Sequence, residues 1–102
     1  MNATRPARLL GDIGGTNARF AWQDGDDSEP RDVQTLPTAE HATLGDAMAH
    51  YLRGLGRGTP PWCAFGIANP ITGDQVKMTN HHWSFSISAL KAELGFERLI
   101  VV

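Results

Sequence analysis

The run Leu9-Leu10-Gly11-Asp12-Ile13-Gly14-Gly15-Thr16-Asn17-Ala18-Arg19-Phe20 constrains this chain more than any other stretch. It predicts a strand, a glycine turn and a second strand, with one carboxylate near the end of the first. Glycine has no Cβ, so a backbone turn built from it can approach a ligand closely. Successive N–H groups in such a turn form a concavity suited to phosphate oxygens. Asp12 would repel a phosphate unless a cation lay between them, which makes it a candidate partner of Mg²⁺, directly or through water. Thr16 and Asn17 add short polar side chains able to bond phosphate, water or their own backbone. The candidate phosphate-binding set is therefore Gly11, Asp12, Ile13, Gly14, Gly15, Thr16 and Asn17. A second reading stays open at this point: a plain hairpin whose glycines merely supply positive φ.

Two other phosphate loops are excluded. No Gly-Lys-Ser/Thr follows, so the turn is not a Walker A loop. Residues 17–20 continue as a strand instead of opening a helix, so it is not the dinucleotide fingerprint.

A chain of 102 residues suffices for one domain with one core. Apolar content of 41% and charged content of 20% fit a globular protein. A formal charge of -2 and the lack of a basic tract leave no electrostatic footprint for nucleic acid. No apolar stretch reaches bilayer-spanning length, and the first residues lack the apolar run of a signal peptide. A cytoplasmic location is the expectation, and the lone Cys63 agrees with a reducing compartment.

Residues 7–11 and 18–23 predict a hairpin with Phe20 and Trp22 on one face and Arg19 and Ala21 on the other. Residues 32–36 predict a third strand, ended by Pro37. Thr43 reads as a helix N-cap, with Asp46 three residues on. Leu44, Ala47, Met48, Tyr51, Leu52 and Leu55 recur at helical spacing, and Gly54, Gly56 and Gly58 are expected to stop that helix. Residues 62–68 are apolar on both faces, as in a central strand covered by helices. Residues 75–79 and 83–85 predict a small hairpin or two short edge strands. A second helix is expected over 87–94, with Ser86 as cap and Gly95 after its end, then an apolar strand over 99–102. Three antiparallel strands followed by right-handed, parallel strand-helix-strand units give an α/β fold with a mixed sheet.

The first loop resembles that of the sugar kinase, Hsp70 and actin superfamily, and Gly-Asp-Ile-Gly-Gly-Thr-Asn-Ala-Arg-Phe narrows the resemblance to bacterial glucokinases. A second stretch strengthens it: Pro-Ile-Thr-Gly-Asp from Pro70, Met-Thr-Asn-His from Met78 and Trp-Ser-Phe-Ser from Trp83. The resemblance spans nearly the whole chain and is weakest over residues 24–61. It implies a ribonuclease-H-like (actin-like ATPase) fold with flanking helices, incomplete at its C-terminus. Residues 1–102 would form the N-terminal small-lobe domain of an enzyme that uses ATP and Mg²⁺ to convert glucose to glucose 6-phosphate. Pro70, Thr79 and Asn80 would border the sugar cleft.

His81 and His82 lack metal-ligand spacing. Trp62, Trp83 and Phe85 read as core residues and not as a sugar-stacking platform. Cys63 reads as buried and inert. No general base for the sugar hydroxyl is recognised here; the resemblance implies an Asn-Asp pair just after the final strand. The isolated chain is therefore expected to be inactive, and its uncovered apolar surface to favour a homodimer. Rival readings are a sugar-sensing regulator without turnover, a kinase fused to a regulator, and an ATPase of the Hsp70 or actin type.

Overall fold

The computed structural model describes residues 6–25, 29–67, 71, 73–78 and 83–102. The elements run β1 (Arg8–Ile13), β2 (Asn17–Gln23), β3 (Arg31–Pro37), a 3₁₀ turn (Thr38–Glu40), α1 (Leu44–Leu55), β4 (Trp62–Ile67), β5 (Gln75–Lys77), β6 (Ser84–Ser86), α2 (Ile87–Leu94) and β7 (Arg98–Val101). Five strands form one sheet in the order β3-β2-β1-β4-β7, and β5 pairs with β6 in a separate hairpin. β1–β2 and β2–β3 are antiparallel, whereas β1–β4 and β4–β7 are parallel. This is the mixed order expected from short early turns and later helical crossovers.

Alternation along the strands decides where the core lies. Leu9 and Ile13 of β1, Ala18, Phe20 and Trp22 of β2, and Cys63 and Phe65 of β4 share one face. Leu44, Ala47, Met48, Tyr51 and Leu52 of α1 and Leu90 of α2 pack in the same cluster. The helix ends follow their sequence signals. Thr43 Oγ1 accepts from the Asp46 N–H, and Ser86 Oγ accepts from the Ala89 N–H. Gly56 and Gly95 close the two helices in the left-handed conformation, at φ 70° and 85°. Gly54 does not stop α1; it lies one residue inside the final turn.

The opposite sheet face differs from expectation. The sequence predicts β4 to be covered on both sides, but both helices join the core on one side. On the other side Trp62 is half-buried beneath two guanidinium groups, with Arg8 Cζ 5.3 Å and Arg98 Cζ 5.0 Å from its ring centre. Trp62 is therefore not a core residue: its position in the strand puts it out of phase with Cys63 and Phe65. Trp83, like Trp22, is a core tryptophan, 1% exposed, with its indole N–H donated to the His41 carbonyl at 2.9 Å. That bond ties the segment entering β6 to the chain just before α1. Phe85 is half-buried, its ring 5.9 Å from that of Phe65.

Candidate functional site

The β1–β2 connection is three residues long, Gly14, Gly15 and Thr16. It lies beside the C-terminal end of β1, the edge at which open α/β sheets hold ligands. The ladder pairs Ile13 with Ala18, and the Gly14 N–H closes the turn on the Asn17 carbonyl at 2.9 Å. The Gly15 and Thr16 N–H groups donate to no backbone carbonyl among the described residues.

The glycines of this segment supply space, not unusual dihedrals. Among the described residues, positive φ occurs at Gly56, Gly58, Gly95 and Asp32, and at none of Gly11, Gly14 and Gly15. Among the described residues the turn glycines therefore do not reach positive φ, the role that the plain hairpin reading gives them. At Gly14 an added Cβ would stand 3.4 Å from the Asn17 carbonyl oxygen, at the edge of ordinary contact.

The seven candidates divide by position. Gly11 lies inside β1 between Phe20 of β2 and Phe65 of β4, and a Cβ there would meet the Phe65 Cβ at 2.9 Å. Its requirement is close packing in the core. The Ile13 side chain is buried in the same core. Asp12 points to the other face and is exposed, with Arg19 opposite it in the ladder. It borders a shallow groove with Leu10, Arg19, Ala21, Pro30 and Val33. Thr16 and Asn17 are exposed, and Gly14 and Gly15 are half-buried. The turn thus presents undonated N–H groups close to an exposed carboxylate on the adjacent strand. These groups suit a phosphate and a hard cation bridged by water. A magnesium ion held by substrate phosphates needs few protein ligands, so one carboxylate suffices.

One residue of the site carried no sequence signal. Thr38, 1% exposed, is the one buried polar or charged residue among the described residues. Its Oγ1 lies 2.8 Å from the Gly15 carbonyl oxygen and 3.0 Å from that of Thr16, and its N–H donates to the Thr16 carbonyl at 2.9 Å. A threonine after Pro37 gives no hint of a partner more than twenty residues upstream; only the β2–β3 pairing of Asn17 with Pro37 brings them together.

The predicted sugar-side residues Pro70, Thr79 and Asn80, with His81 and His82, lie outside the described residues. Their flanks are anchored. Asp74 accepts hydrogen bonds from the Ser86 and Ser88 hydroxyls and the Ser88 N–H, and these bonds hold its carboxyl below the usual carboxylate range. The Met78 N–H donates to the Trp83 carbonyl at 3.1 Å, so residues 78 and 83 form a closed base for the segment between them.

A mixed five-stranded sheet with a glycine turn at the end of its first strand, backed by two helices, defines an actin-like ATPase-type α/β fold of the sugar-kinase class. The glucokinase family model matches residues 9–102, and the chain belongs to the glucokinase family. The glucokinase of Aromatoleum aromaticum is 54% identical over 98 residues, which is 93% of this chain and 29% of that protein. The "Bifunctional protein glk" of Burkholderia thailandensis is 52% identical over 95 residues, again 93% of this chain but 15% of that protein. Among solved structures, a glucokinase from an Antarctic psychrotroph superposes with a TM-score of 0.87 at 36% identity, covering 94% of this chain and 31% of that one. A ROK-family protein from Streptococcus pneumoniae shares the fold, with a TM-score of 0.66 at 18% identity. The chain thus spans about a third or less of the length of each of these relatives.

Proposed function

We propose that this chain is the N-terminal, small-lobe part of an ATP-dependent glucokinase that phosphorylates glucose to glucose 6-phosphate in glycolysis. The observation that carries the reading is the juxtaposition of the undonated Gly15 and Thr16 N–H groups with the exposed Asp12, in a chain whose relatives are named glucokinase. Phosphoryl transfer requires positioning and charge neutralisation more than covalent participation by the protein. In this reading the turn N–H groups bind phosphate oxygens of ATP, and Asp12 holds Mg²⁺, directly or through water. The cation supplies neutralisation of the phosphate charge. Gly11 and Ile13 contribute by fixing the strand that carries Asp12.

On the sugar side, Pro70, Thr79 and Asn80 border the glucose cleft. The general base for the sugar hydroxyl would be the Asp of an Asn-Asp pair that the resemblance to glucokinases implies. The enzyme works in the cytoplasm; no described helix is long and apolar enough to cross a membrane. A homodimer is supported by the uncovered sheet face, where Ile100 and Val33 are each about half exposed.

The test is a coupled assay of glucose-dependent ADP formation by the full-length protein. Turnover that Asp12→Ala abolishes or cuts by orders of magnitude supports the reading. A full-length protein that binds glucose without turnover would favour the sugar-sensing regulator instead. Relatives named bifunctional match at 52% identity and one named glucokinase at 54%, so the degree of identity does not favour a fused regulator over glucokinase alone.

A further inference from the structure

We propose that Thr38 is a positioning residue of the glycine turn: its buried hydroxyl holds the Gly15 and Thr16 carbonyls inward and so aims the Thr16 N–H outward at the phosphate. The inference rests on the reading of the turn as a phosphate site. All peptide bonds of the described chain are trans. In a trans peptide the C=O of one residue and the N–H of the next point in opposite directions. The Gly15 carbonyl lies 2.8 Å from Thr38 Oγ1. The N–H of Thr16, on the same peptide plane, must therefore face away from Thr38. The Thr16 carbonyl is captured twice, by the Thr38 N–H at 2.9 Å and by Oγ1 at 3.0 Å.

A single hydroxyl proton serves two carbonyls, so the turn is braced in one orientation from beneath. Among the described residues no other hydrogen bond holds the Gly15 carbonyl. The brace itself is rigid. Thr38 is 1% exposed, sits directly after β3 and opens the 3₁₀ turn, whose His41 N–H returns to the Thr38 carbonyl at 3.2 Å. A donor array aimed before the ligand arrives costs no reorganisation when it binds.

Two variants of the full-length kinase separate this role from plain packing. Thr38→Val keeps the shape and removes the hydroxyl; Thr38→Ser keeps the hydroxyl and leaves a methyl-sized gap. We expect Thr38→Val to raise KM for ATP about fivefold, within the range one neutral hydrogen bond supplies, with KM for glucose unchanged. Thr38→Ser should lower Tm yet keep KM for ATP within about twofold of wild type, as one retained hydrogen bond implies. An unchanged KM for ATP in Thr38→Val overturns the proposal, as does a KM for ATP that rises in Thr38→Ser in step with its lower Tm. If Thr38→Val does not fold, the serine variant decides alone by the same criterion. If the wild-type protein shows no ATP-dependent phosphorylation of glucose, the functional reading has failed, and the positioning proposal built on it is overturned with it.

Discussion

Replacing Gly11 by alanine separates a packing glycine from a ligand-facing one. The added Cβ would lie 2.9 Å from the Phe65 Cβ, 3.4 Å from Phe20 Cδ1 and 3.5 Å from Ile13 Cδ1. The nearest of these is fixed to the backbone of β4 and cannot swing aside as the tip of a long side chain can. Forcing a methyl into a close-packed core costs about 1–3 kcal/mol. One effect opposes this. Alanine restricts the unfolded chain, a gain of about 0.4–1 kcal/mol where the native dihedrals allow it. Gly11 is not at positive φ, so that gain is available. The net expectation is a loss of about 1–2 kcal/mol. Urea denaturation followed by tryptophan fluorescence would show a lower midpoint with an unchanged slope. Gly54→Ala is the matched control. Nothing lies within 4 Å of its added Cβ and it sits inside α1, so it should gain about 0.5–1 kcal/mol. A Gly11→Ala protein as stable as wild type would refute the view that Phe65 excludes a side chain there.

Other outcomes follow from the same geometry. Thr43→Ala removes the cap on the Asp46 N–H and should cost about 1 kcal/mol by thermal or chemical denaturation. The bonds from Ser86 and Ser88 lower the Asp74 pKa, so its contribution is present above the ordinary Asp value of about 3.9. It is lost as pH falls through the depressed folded value; Asp74→Asn should therefore flatten the acid limb of a stability–pH curve and leave its slope near neutrality alone. Burial pushes the Cys63 thiol up to about 12, so an aromatic disulfide reagent at pH 8 should label it only at the rate of unfolding. Labelling at the rate of a free thiol would show that β4 is open on that side.

Much of the fold was legible because its signals are local. Alternation put Phe20 and Trp22 on one face, and the α1 stripe, the caps at Thr43 and Ser86 and the left-handed Gly95 all appear where the sequence predicts them. The misses share a cause, which is that the deciding neighbour is distant in sequence. Trp62 looks like any core tryptophan until the parallel pairing of β4 with β1 and β7 brings Arg8 and Arg98 over its ring. Gly11 looks like part of a phosphate loop until Phe65 arrives from β4. Gly54 is tolerated in α1 because propensity is weak against the packing of Tyr51 and Leu52 just before it. Thr38 could not be read at all, since its bonds to Gly15 and Thr16 exist only through the β2–β3 register.

The most direct measurement is a crystal structure of the full-length protein with Mg²⁺ and a non-hydrolysable ATP analogue. Phosphate oxygens should lie within hydrogen-bond distance of the Thr16 N–H, with the cation or one of its waters on Asp12. A triphosphate bound away from residues 12–17, with Asp12 touching neither metal nor metal-bound water, would contradict the account.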